Sequence, residues 1–183
     1  MVILKSPPVF YGIKKEKKVN FLVLAILLLL ITICIRSAVG LSTEFPWKSN
    51  ITLLIMLTLS VALGKALGGF LADYFGWIKI AVGGLALSAL LLFFGTQFPV
   101  SGIAGTFLFN LTMPVTLVAI SNLLPGKPGF SFGLTTFALA AGALPGFFRY
   151  KNFLSGGPVI LILILLSAVI LFIGLRLYER NQP

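Results

Sequence analysis

The sequence predicts an all-α integral membrane protein with six transmembrane helices, and three observations carry that prediction. Its 183 residues are 58% hydrophobic and only 10% charged, where a soluble domain carries about 25% charged residues. Mean hydropathy is +1.10. Six apolar segments each approach the roughly 20 residues that cross about 30 Å of hydrocarbon, and the links between them are short and rich in turn residues.

In chain order, residues 1–19 form a basic tail, residues 20–177 the transmembrane domain, and residues 178–183 a short C-terminal tail. The first span, "NFLVLAILLLLITICIRSAVG", runs from Asn20 to Gly40. Its apolar run is long for a signal peptide, Arg36 stands where a cleavage site would sit, and no A-x-A follows, so this helix is expected to be retained. The second span covers Asn50 to Leu71 and the third Ile78 to Thr96. The fourth, Val100 to Leu123, contains Asn110 and Pro114. The fifth, Phe130 to Phe148, is rich in glycine and alanine, and the sixth covers Pro158 to Leu177. The links "STEFPWKSN", "ADYFGW", "QFPVSG", "LLPGKPG" and "YKNFLSGG" leave no room for a soluble domain.

Lysine and arginine total 14 against 4 acids, a net charge of +10. In a membrane chain such an excess marks cytoplasmic flanks and lipid headgroup contacts, so nucleic acid is not expected as a partner. With the N-terminus inside, nine basic residues flank the cytoplasmic ends: Lys5, Lys14, Lys15, Lys17, Lys18, Lys79, Lys127, Arg176 and Arg180. Only Lys48, Arg149 and Lys151 fall in the outer links. The expected orientation is therefore a multi-pass protein of the cell membrane with both termini cytoplasmic. The "KKEKK" run, Lys14 to Lys18, serves this reading as a topology determinant touching anionic lipid.

Histidine is absent and Cys34 is the only cysteine. Disulfides, zinc sites, haem ligation and histidine-based catalysis lose their parts together, so no metal and no cofactor are expected. An enzyme is not expected either, because no nucleophile–base pair can be assembled. Cys34, inside an apolar run, reads as a small packing residue.

The stretch "GKALGGFLADYFGW", Gly64 to Trp77, places an aspartate among glycines at the end of the second span. Gly64 and Gly68 are four apart and share one helix face, where another helix can approach closely. Gly69 and Gly76 bracket Asp73, whose carboxylate suits the positive N-terminal end of a neighbouring helix. The plainer reading makes "ADYFG" a polar turn, with aspartate and glycine serving turn geometry.

Gly69, Leu71, Ala72, Asp73 and Gly76 match G-x-L-A-D-x-x-G, and this stretch resembles the loop 2–3 signature of the major facilitator superfamily. The sequence departs from that signature at Tyr74, Trp77 and Ile78, where the family has basic residues, while Lys79 lies just beyond. "NLLPGKPGFSFGLTTFALAAG", Asn122 to Gly142, looks like the family's loop 4–5 and glycine-studded fifth helix. Gly133 and Gly142 have the spacing that opens its antiporter motif, which Pro145-Gly146 leaves incomplete.

The resemblance implies half of a twelve-helix fold, with two inverted three-helix repeats, in which Gly69, Asp73 and Gly76 take part in conformational gating. Gly64, Gly68, Gly133 and Gly142 are expected at helix-packing sites. Half of such a fold has an open polar face and needs a partner, either a second copy of this chain or a sister six-helix half. The resemblance further implies that Asp73 of one copy faces the start of helix five, Gly129 to Ser131, of the other.

Charged and polar residues inside the spans are the substrate-binding candidates. Arg36 either snorkels to the outer headgroups or lines a cavity as a cation for an anionic or carboxylate-bearing solute. Lys65 is placed to snorkel to the inner surface. Asn110 and Thr112, beside Pro114, either bind solute or join helices. Phe107, Phe109, Phe132 and Phe137 are packing residues or cavity lining. No Asp or Glu lies deep in a span, so a proton relay is missing.

The expected function is a dimeric half-transporter moving a small solute by alternating access. The alternatives are a substrate-capture subunit of a multi-subunit vitamin importer and a non-transporting membrane scaffold. The charge asymmetry has a direct test, single-cysteine labelling in a Cys34→Ser background. Positions 127 and 180 should react only from the cytoplasm and position 151 only from outside. Labelling of 127 and 151 from one side would refute the six-span arrangement.

Overall fold

The computed structural model describes residues 15–95, 97–147 and 157–181. These residues hold six helices long and apolar enough to cross a membrane, and no strand occurs among them. They are α1 (Lys15–Ser42), α2 (Ile51–Phe75), α3 (Trp77–Phe94), α4 (Pro99–Leu123), α5 (Pro128–Phe147) and α6 (Gly157–Asn181). A 3₁₀ turn, Pro46–Ser49, sits between α1 and α2.

Local chemistry sets the helix ends. Asn50 caps α2, its side chain accepting from the Thr52 N–H at 3.0 Å. Pro99 and Pro128 open α4 and α5, where a missing N–H costs nothing. Only Gly76 separates α2 from α3, at φ +100, a conformation that L side chains rarely adopt. The expected tails are shorter than read from hydropathy. α1 already begins at Lys15 and α6 continues to Asn181. Lysine, glutamate and arginine are good helix formers, so the helices outlast the apolar stretches that hydropathy detects. Lys5, Lys14, Arg149 and Lys151 lie outside the described residues.

Apart from α3 and α4, helices adjacent in sequence are not the main neighbours in space. α4 packs chiefly on α2 and α3, α1 chiefly on α6 and α5, and α3 on α6. Two close approaches depend on glycine. A Cβ at Gly64 would lie 2.6 Å from the Phe107 carbonyl oxygen, and one at Gly68 would overlap the Leu111 carbonyl, both on α4. On α5 a Cβ at Gly142 would overlap the Cys34 carbonyl of α1, and one at Gly146 would crowd Leu41. Each contact is a pair of glycines four residues apart laid on another helix, with Gly64, Gly68 and Gly142 against its backbone and Gly146 against the Leu41 side chain, the small-residue packing expected where no hydrophobic force draws helices together.

Cys34 belongs to this second contact, its thiol donating to the Ala138 carbonyl at 3.1 Å. Gly133 does not pack as expected. Its α carbon faces open space, because α5 meets the bundle through Ser131, Thr135, Ala138 and Gly142, all buried, and Gly133 lies on the opposite side.

At one end of the bundle the 3₁₀ turn is wedged onto the α3–α4 link. Trp47 Nε1 donates to the Gly95 carbonyl at 2.8 Å, and Phe45 stacks on Trp47 with centroids 4.7 Å apart. Gly95 and Gly102 leave room for this wedge, since a Cβ on Gly102 would meet the Trp47 ring at 2.5 Å.

These contacts predict opposite outcomes at chemically similar positions. Gly68→Val and Gly142→Val should each destabilise the bundle by about 1–3 kcal/mol or more through overpacking, read as a lower Tm in detergent. Gly133→Ala should leave Tm unchanged or slightly raised, because alanine is the better helix former by about 1 kcal/mol.

Candidate functional site

The polar residues of separate spans converge on one cavity of about 470 Å³ between α1, α2, α4 and α5. α1 contributes Ile33, Arg36, Ser37, Gly40 and Leu41, a single helix face at spacings of three and four. α4 contributes Phe109, Asn110, Met113, Thr116 and Leu117, and α5 a matching face from Phe132 to Ala143 that includes Thr135 and Thr136. Lys65 is the residue from α2. Among the described residues, two cations and no carboxylate line this space.

Arg36 is the centre of the site. It lies about 9 Å short of the end of α1 at 1.5 Å per residue, yet its side chain is only 6% exposed. It therefore does not snorkel. Nη2 donates to the Phe109 carbonyl of α4 at 3.1 Å, and the guanidinium sits 5.2 Å from the centre of the Phe109 ring, within cation–π range. Nε is buried and has no acceptor. A buried guanidinium held by one carbonyl and one ring face retains unspent donor capacity and an uncompensated charge.

α4 supplies these contacts. Pro114 lacks an N–H and so leaves the Asn110 carbonyl, not that of Phe109, without its helix donor. The Phe109 carbonyl, near the proline, accepts from Arg36 and from Thr112 Oγ1, the latter at 3.0 Å. Asn110 faces the cavity, with Nδ2 donating to the Thr106 carbonyl at 2.8 Å.

Thr112 does not line the cavity, contrary to expectation. It is fully buried and spends its hydroxyl on its own helix, because it falls on the stripe of α4 that faces the bundle core. Thr116, one turn further on, reaches the cavity edge instead, as do Ser37, Thr135 and Thr136, which the sequence reading passed over. Their signal was the shared helix faces around Arg36 and Asn110. Of the aromatic candidates, Phe109 and Phe132 line the cavity. Phe107 borders a shallow apolar groove with α2, and Phe137 is 72% exposed.

Gly69, Asp73 and Gly76 do not line this cavity, Gly69 following the lining residue Lys65 by one turn and Asp73 and Gly76 closing the end of α2. Asp73 is not part of a turn. It occupies the last turn of α2, where the helix dipole disfavours a carboxylate, and it accepts from Trp77 Nε1 at 2.9 Å. Trp77 in turn stacks on Tyr178 of α6, centroids 5.6 Å apart and nearly parallel. Asn122 Nδ2 of α4 donates to the Tyr178 hydroxyl at 3.0 Å. Four helix ends are thus tied by one aspartate–tryptophan–tyrosine–asparagine chain. Gly69 lies against Pro114 at ordinary contact distance, so its lack of a side chain is not required by packing within this chain.

No known protein-family model, curated protein or solved structure matches the chain.

The four-residue chain makes separable predictions. Trp77→Phe keeps the stack on Tyr178 and loses only the N–H donor, so it should lower stability by about 1 kcal/mol, the net worth of one hydrogen bond. Trp77→Ala should cost more, since an aromatic pair adds about 0.5–1.5 kcal/mol. Asp73→Asn retains the acceptor and should leave Tm near that of the parent. Thermal unfolding of the detergent-solubilised protein checks all three.

Proposed function

We propose that the chain is a half-size membrane transporter of the major facilitator type, which pairs as a dimer and moves a small anionic solute by alternating access. The observation that carries this reading is the cavity itself. Four spans direct polar side chains into one space, and its cations, Arg36 and Lys65, face no acid there. A purely structural bundle has no reason to hold a buried guanidinium without a carboxylate, because an incompletely compensated charge costs several kcal/mol in a medium of low dielectric. An anion arriving from solution would complete it.

The packing supports two inverted three-helix repeats. Exchanging α1–α3 with α4–α6 carries the α2-on-α4 contact onto the α5-on-α1 contact, each made through a pair of glycines. It likewise carries α3-on-α4 onto α6-on-α1. In such a half, α1, α2, α4 and α5 border the open face, and these are the helices that line the cavity. A second copy placed there, in the cell membrane with both termini cytoplasmic, would close the cavity and bring Asp73 to the start of the partner's helix five. The terminal N–H groups of that helix favour a carboxylate by about 0.3–1 kcal/mol. Asp73, Gly69 and Gly76 would then bias the conformational equilibrium. Gly64 and Gly68 serve α4 of the same chain and are not available to that interface.

Two measurements test the reading. Asp73→Cys and Gly129→Cys on separate copies, in a Cys34→Ser background, should form an intermolecular cross-link. A monodisperse monomer in mild detergent that still binds solute would instead favour a capture subunit. In a thermal-shift screen of small anions, a stabilising ligand should lose its shift in Arg36→Ala. It should regain part of it in Arg36→Lys, which lacks the planar fork of donors. An undiminished shift in both variants would remove Arg36 from the site.

A further inference from the structure

A second cavity of about 240 Å³ adjoins the first. It lies among α1, α2, α4 and the 3₁₀ wedge, and Lys48 and Thr43 are among its lining residues. Gly40, Phe109 and Asn110 line both cavities, so these three residues form the wall between them, the place where a neck would open. Like the first, the second cavity carries a cation and no carboxylate.

The cations repeat a motif. Lys48 Nζ lies 5.2 Å from the centre of the Phe45 ring, as Arg36 lies 5.2 Å from that of Phe109. An aromatic face steadies a cation without neutralising it, so its charge stays available to a passing anion. Gly40 adjoins the Phe109 ring edge, where a Cβ would stand at an ordinary contact distance of 3.9 Å, so a longer side chain would be needed to fill this place. The buried, unpartnered Nε of Arg36 marks the inner end as a place where an acceptor is missing.

We propose that the smaller cavity is an anion vestibule to the larger one: small organic anions arriving at the Lys48 end are held beside Lys48 and pass the neck of Gly40, Phe109 and Asn110 to reach Arg36. This rests on the reading of the central cavity as an anion site and adds the route and its selectivity. The lining of both cavities is mostly apolar, with the Phe109 ring between them, which favours an organic anion with an apolar body over a bare, strongly hydrated inorganic ion. A positive path of this kind raises the local concentration of anions and repels cations of equal size.

The test uses thiol reagents as stand-in solutes, so it needs neither the natural solute nor dimerisation. Thr135→Cys in a Cys34→Ser background places one buried thiol on the wall of the central cavity, and the serine keeps a donor for the Ala138 carbonyl. Membrane-impermeant methanethiosulfonates bearing a sulfonate or a trimethylammonium are applied to the Lys48 side of oriented vesicles. Rates are normalised to those of a free thiol in solution. The sulfonate should be favoured by about tenfold.

Lys48→Gln, a change in an exposed link, should reduce that preference about threefold without altering Tm. Gly40→Leu should slow both reagents from the Lys48 side about tenfold, while labelling from the opposite side stays as before. Equal normalised rates for the two reagents, or a Gly40→Leu variant that folds and labels like its parent, would overturn the vestibule. A central anion site reached by another route would keep its Arg36-dependent thermal shift in that case, so the two readings fail separately.

Discussion

Hydrocarbon supplies no hydrogen bonds, so every polar group in this bundle must find its partner inside the protein. Most buried hydroxyls meet this demand locally. Thr32, Ser88, Thr112 and Ser167 each donate to a carbonyl of their own helix. Arg36 cannot do so, because a guanidinium has more donors than a helix has free acceptors. It is drawn instead onto α4, at the Phe109 carbonyl beside the Pro114 interruption. That one demand ties α1 to α4 and places a positive charge at the wall of the central cavity.

The width of that cavity follows from glycine. α2 lies on α4 through Gly64 and Gly68, and α5 lies on α1 through Gly142 and Gly146. With both flanking helices drawn in to backbone contact, the space left over opens between them, where Arg36, Lys65 and Asn110 meet. Larger residues at either crossing would move a cavity wall as well as loosen the bundle. Packing and binding geometry are therefore one property in this protein.

The far end is tied differently. After Asp73 the chain carries Tyr74, Trp77 and Ile78, none of them basic. Trp77 gives an indole N–H to Asp73 and a flat face to Tyr178. A neutral donor holds the carboxylate without neutralising its charge, and Asp73 remains exposed.

Hydropathy alone determined the six spans, because the transfer of about 20 apolar residues into lipid is a local quantity that needs no knowledge of neighbours. The helix ends were less legible: hydropathy ends the second span at Leu71, whereas α2 runs on to Phe75 and stops at Gly76. The sequence also singled out Arg36 and Asn110, since polar residues in an apolar helix are conspicuous. What it could not decide was rotation. A helix in lipid is apolar nearly all round, so no polar face announces which side meets its neighbours. Thr112 and Thr116 look alike in α4, yet only Thr116 reaches the cavity. Gly133 and Gly142 look alike in α5, yet only Gly142 touches α1. Whether Arg36 turned outward to headgroups or inward to Phe109 depended on where α4 came to lie. Only the tertiary structure decided these, because each is a relation between helices distant in sequence and not a property of either one.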